Sequence, residues 1–190
     1  MPPADTRQSI LHAAILLMGQ NGMDGVTASA LARQVGVSKA TVFHHFPTLD
    51  EVPIAALDLF TEMMVPHDPD ESADLEDILV ALGATSLDLS AKQSGLVQAY
   101  CGFVTKAMFE QRLKVKLVAE MDAAVARLAA ALAEKTRNAA MASELSRLCL
   151  VTMDGLMINA ALTGDAQAQL ALWRPMARLL AKEYGHENSN

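Results

Sequence analysis

Residues 26–52 read VTASALARQVGVSKATVFHHFPTLDEV, and most of what the chain discloses about its fold lies in them. Thr27 is a good N-cap ahead of an apolar set at Ala30, Leu31 and Val35, so the pattern predicts a short helix over about 28–34. Gly36 ends it, because glycine takes the left-handed backbone that a Cβ penalises, and Val37 supplies an apolar plug between two helices. Ser38 caps a second helix, about 39–45, with Val42 and Phe46 on the core side and Lys39, Thr41, His44 and His45 on the other. Pro47 closes it, since the residue before a proline is pushed out of the α region. Two short helices around a glycine turn, the second with a polar outer face, form the pattern of a DNA-binding helix-turn-helix; the same spacing equally describes an αα-corner.

The particular residues add to the spacing. Arg7, Ile10, Leu11, Ala13, Ala14, Gly22, Thr27, Leu31, Ala32, Gly36, Val37, Ser38, Thr41 and the run Val42, Phe43, His44, His45, Phe46 closely resemble the N-terminal domain of the TetR family of bacterial transcriptional regulators. The resemblance covers about residues 7–59. It implies that Thr27, Thr41 and His45 meet the DNA backbone. Lys39 becomes the best base reader, its ammonium suited to the guanine acceptors, with Ala40 beside a thymine methyl. Ser29, Ser38, Phe43 and His44 complete the expected surface. Phe43 and Leu49 depart from the family pattern, which usually has a tyrosine and a lysine there, each reaching a phosphate. Both changes remove a backbone contact and bear on affinity more than on fold.

The 190-residue chain is 52% hydrophobic and only 4% aromatic, which suits an Ala-, Leu- and Met-rich all-α protein of one large or two small domains. No stretch alternates in the manner of a strand. No uncharged apolar run reaches membrane-spanning length, and the opening MPPADTRQ lacks a signal-peptide layout, so a cytoplasmic protein without membrane contact is expected. Cys101 and Cys149, far apart and in apolar surroundings, read as two buried thiols. The net charge of −7 weighs against tight DNA binding, and residues 1–65 alone hold three Lys or Arg against six Asp or Glu. Only charge near the phosphates acts strongly across a Debye length of ~8 Å, so weak, salt-sensitive binding is expected.

A first helix starts near Asp5 or Thr6, with Ile10, Leu11, Ala14, Leu17 and Met18 as its apolar stripe. Thr48 with Glu51 looks like a capping box for a fourth helix, but Pro53 then removes a hydrogen bond, so either a start at Asp50 or a kink is expected. The stretch 66–77 is rich in acids with two prolines and reads as a linker, giving a DNA-binding domain at 1–65 and a ligand-binding and dimerisation domain at 66–190. Further helices are expected from Leu75 through Leu89 with a break at Ser94-Gly95, over about 96–109, 110–135 and 138–163, and from Asp165 to Tyr184 with a kink at Pro175. A polar, disordered tail is expected from Gly185. The 145–162 stretch is apolar nearly all round and, with Leu170, Leu172, Trp173, Met176, Leu179 and Leu180, predicts a four-helix bundle between two subunits.

No phosphate loop, HExxH, nucleophile elbow or paired-Cys zinc spacing is present, so neither catalysis nor a cofactor or metal is expected. The TetR resemblance implies a pocket for a small-molecule effector among Leu82, Leu96, Val97, Tyr100, Cys101, Phe103, Val104, Met108, Phe109, Met121, Met153 and Met157. Flexible methionines with few aromatics suit an adaptable, mostly apolar ligand. Lys106, Arg112 and Lys114 are expected on solvated faces. The expected partners are therefore double-stranded DNA at an inverted repeat, an effector and a second copy of the chain. The rival reading is a helical small-molecule-binding protein or enzyme whose helix-turn-helix no longer binds DNA.

Overall fold

The computed structural model describes residues 5–64, 73–92 and 95–186, and among these the backbone forms nine α-helices and no strand. They group into two compact units, neither continuous in sequence: residues 1–65 with 94–120, and residues 66–93 with 121–190.

In the first unit α1 (Thr6–Asn21) is the central element. Asp5 caps it by accepting from the Arg7 backbone N–H. Ile10, Leu11, Ala14, Leu17 and Met18 are all buried, as their helical spacing requires. A 3₁₀ turn at Met23–Gly25 leads to α2 (Ala28–Val35) and α3 (Lys39–His45). Helix α4 (Glu51–Met64) begins so that Pro53 falls in the first turn, where its missing N–H costs no intrahelical bond. Helix α6 (Gly95–Ala107) packs on α1. The approach is close: a Cβ on Gly19 would collide with the Gly95 backbone, so glycine is what lets these helices meet. The Phe103 ring lies 5.2 Å from Phe60, and Tyr100 stacks on Phe60 at 6.3 Å, joining α6 to α4.

The second unit contains α5 (Leu75–Lys92), α8 (Ala139–Thr163) and α9 (Ala166–Tyr184); α7 (Gln111–Leu132) begins in the first unit and ends here. Asn138 and Asp165 cap α8 and α9 through Met141 and Ala168, and Gly164 ends α8 in the left-handed conformation. Trp173 is fully buried and donates its indole N–H to the Leu79 carbonyl at 2.7 Å. Gly83 leaves room for the indole ring. The expectation that Trp173 serves a subunit interface is therefore corrected: it fills the α5–α9 contact of its own chain.

Helix α8 is long and apolar enough to pass for a membrane span by composition, yet it packs against α5 and α9. The tail also differs from expectation at its start. Gly185 bridges to Thr136, and Arg137 donates to the Gly185 carbonyl at 3.1 Å, so residues 185–186 are tied down. Of the two thiols only Cys149 is buried, and burial pushes it up to about 12; Cys101 is half-exposed. Most of the expected linker lies outside the described residues. Its described end is a cap, Asp74 accepting from the Asp77 backbone N–H at 2.8 Å.

Candidate nucleic-acid interface

The helix-turn-helix is set by two side-chain caps and one glycine. Thr27, in extended backbone, accepts from the Ala30 N–H at 3.1 Å and opens α2. Gly36, at φ 78° and ψ 31°, donates to the Ala32 carbonyl, and the Val37 N–H shares that carbonyl at 2.9 Å. Ser38 accepts from the Thr41 N–H at 3.0 Å and hydrogen-bonds the Thr41 hydroxyl at 2.8 Å, opening α3. Val42 and Phe46 are buried against the domain core with Leu31 and Ala32.

With α3 fixed in this way, its outward face is determined. Lys39, Ala40, Phe43 and His44 are exposed and fall within about 140° of arc at 100° per residue. Thr27, Ser29 and Ser38 are exposed as well, while Thr41 and His45 are half-buried at the edges of this face. All nine residues singled out from the sequence thus lie on one domain. The rings of His44 and His45 meet edge to face at 5.3 Å. Among the described residues no group of three or more His, Cys, Asp or Glu is placed to hold a metal.

Residues 10–53 match the family model described as "Bacterial regulatory proteins, tetR family". The N-terminal domain belongs to the TetR family. The matched span runs from the first buried residue of α1 to the first turn of α4, so it contains the whole helix-turn-helix and its core.

No curated protein matches the chain in sequence. Solved structures do match in fold. A transcriptional regulator from Rhodococcus sp. Rha1 is 20% identical with a TM-score of 0.82, over 96% of this chain and 100% of that one. A TetR transcription regulator from Haloarcula marismortui is 22% identical, with a TM-score of 0.76 over 96% and 100% of the two chains. A protein from Saccharomonospora viridis in complex with choline is 20% identical, with a TM-score of 0.71 over 95% and 98%. At these identities the likeness establishes the TetR-like fold of the whole chain.

The effector candidates fall in both units of this TetR-like chain. In the first, Leu96, Val97 and Phe103 are buried in α6, while Tyr100, Cys101 and Val104 are half-buried. Met108 and Phe109 stand in solvent just beyond that helix, at 69% and 89% exposed. In the second, Met153 and Met157 are buried in α8, Leu82 is half-buried on α5 and Met121 is exposed.

Sequence reasoning overlooked a groove of about 300 Å³ in the first unit, beside the end of α3. Its walls carry Arg7, His45, Glu51, Asp58, Arg112 and Lys116. Lys116 is engaged, with Nζ 2.7 Å from the Asp58 carboxylate and 2.8 Å from the Ile54 carbonyl. Arg7 lies over the Phe46 ring at 5.0 Å. Lys106 is not simply solvated either, since it pairs with Asp50 at 3.0 Å and its side chain is mostly covered. Counted by compact unit, the first holds seven Lys or Arg against eight Asp or Glu, so helices α6 and α7 nearly neutralise the acidity of residues 1–65. The signal for the two ion pairs is absent from sequence because each joins residues more than fifty positions apart.

Proposed function

We propose that the protein is a transcriptional repressor that binds duplex DNA as a homodimer at an inverted repeat, and that a small, mostly apolar effector releases it. The observation that carries this is the arc of Lys39, Ala40, Phe43 and His44, exposed on a helix whose opposite side is anchored by buried Val42 and Phe46. In the major groove Lys39 reads the guanine acceptors O6 and N7 and Ala40 meets a thymine methyl. Thr27, Thr41 and His45 position the helix through phosphates, and Ser29, Ser38 and His44 border them. No catalytic role, cofactor or membrane contact is proposed, and the place of action is the cytoplasm.

Dimerisation is supported by two exposed apolar stripes, Leu148, Val151 and Leu162 on α8 and Leu172, Met176 and Leu179 on α9. Effector binding is supported by the likeness in fold to the choline-bound Saccharomonospora viridis protein. The ligand acts on DNA affinity through its different affinity for the DNA-bound and free conformations.

Titration of labelled genomic fragments at low salt tests the proposal. Saturable binding that an apolar compound reverses while raising the melting temperature is the expected result. A protein that binds the compound but no DNA at any salt concentration would instead be a helical small-molecule-binding protein.

A further inference from the structure

We propose that Arg112, on α7 and more than sixty residues beyond the recognition helix, is a DNA-backbone contact, and that the groove beside α3 seats one phosphodiester. This rests on the DNA-binding function proposed above.

The groove is lined by the last residue of α3, His45, which the function proposed above sets at a phosphate. Three cations from two other helices share it: Arg7 from α1 and Arg112 and Lys116 from α7. Their states differ. Lys116 is neutralised by Asp58, and Arg7 is held over Phe46. Arg112 is exposed, and its side chain makes no ion pair or hydrogen bond to another described residue. Setting the Lys116–Asp58 pair aside, Arg7 and Arg112 face a single carboxylate, Glu51, so with His45 neutral the groove carries one net positive charge. That complements the single negative charge of a phosphodiester, and a guanidinium presents a planar fork of donors suited to phosphate oxygens.

The placement also answers a deficit. Neither Phe43 on α3 nor Leu49, in the turn two residues before Glu51 of the groove, offers a phosphate a donor from its side chain. A cation delivered from α7 to this edge restores charge where the local sequence has none. A free inorganic anion has the same chemistry, and the two are separable.

The test compares R112Q with K114Q in the full chain. Arg112 and Lys116, four residues apart, line the groove together, whereas Lys114 lies about 200° round the helix and is exposed. Both variants lose one charge from the same helix. Anisotropy titrations of duplex DNA between 50 and 200 mM salt are expected to give R112Q a log-log slope shallower by about 0.9 per protomer, on every sequence alike. For a dimer this makes its deficit grow about twelvefold from the high to the low salt. K114Q should keep the wild-type slope, and R112K should regain it. An R112Q slope equal to wild type, or an equal loss from K114Q, overturns the assignment while leaving DNA binding intact. Phosphate that raises the melting temperature of wild type but not R112Q, with equal DNA slopes, overturns it in favour of a free-anion site. Wild-type protein that binds no DNA at low salt removes the functional proposal itself.

Discussion

Replacing Phe43 by tyrosine should tighten DNA binding without altering the fold. The ring is 45% exposed on the outward arc of α3, so a hydroxyl at its tip reaches solvent or DNA and displaces nothing buried. A net hydrogen bond contributes about 0.5 to 1.5 kcal/mol. Taking about 1 kcal/mol in each of two half-sites gives about 2 kcal/mol, or roughly thirtyfold in affinity. Because the added donor is neutral, no extra counterion is released and the salt slope should stay as it is. Leu49→Lys, half-buried in the turn before α4, is the useful contrast. Its gain should come with a slope steeper by about 0.9 per protomer, and the two changes should add. Anisotropy with one fixed duplex, repeated at several salt concentrations, separates these signatures. A Phe43→Tyr protein of unchanged melting temperature and unchanged affinity would refute the placement of Phe43 against the backbone.

Three further outcomes follow from the structure. Gly36→Ala should lower unfolding free energy by about 1 to 2 kcal/mol in chemical denaturation, because φ is 78° while its Cβ would meet nothing within 4 Å, so the loss is conformational and not steric. Leu179→Glu with Val151→Glu, both on exposed stripes, should leave circular dichroism unchanged while sedimentation shifts from dimer to monomer; an unaltered dimer would move the interface elsewhere. Cys149 is an acid held protonated by burial, so its contribution to stability is complete below the ordinary thiol value and is lost as pH rises towards about 12. The unfolding free energy should therefore fall from about pH 9 upward, with Cys149 contributing at most ~1.4 kcal/mol per pH unit, and Cys149→Ala should flatten that fall.

What the sequence disclosed follows how local each cause is. Thr27, Gly36 and Ser38 act within four residues of themselves, and the ends of α2 and α3 fall within a residue of where these signals put them. Pro53 likewise resolved the start of α4, because its tolerance depends only on its distance from the helix end. The recognition face was legible for the same reason, since α3 is two turns of helix with one buried side. Contacts between distant segments were not legible. Nothing in the letters shows that Gly19 and Gly95 meet, which is what brings α6 onto α1. Trp173 looked available to a partner because its acceptor, the Leu79 carbonyl, is a backbone atom ninety-four residues away. Lys106 looked solvated until Asp50 was placed beside it, and nothing in the sequence pairs Lys116 with Asp58. A chain cut at Gly164 would therefore lose Trp173 from its own core as well as any dimer face, which makes the exposed-stripe substitutions the cleaner test.

The central claim is that α3 reads DNA sequence through Lys39. Selection of bound duplexes from a random library at low salt, run in parallel with wild type and Lys39→Ala, tests it most directly. Wild type should enrich an inverted repeat, and Lys39→Ala should lose preference at one base pair in each half-site at a cost of about 1 to 3 kcal/mol, while His45→Ala weakens all sequences alike. Enrichment of no sequence by wild type, or an identical selected motif from Lys39→Ala, would contradict it.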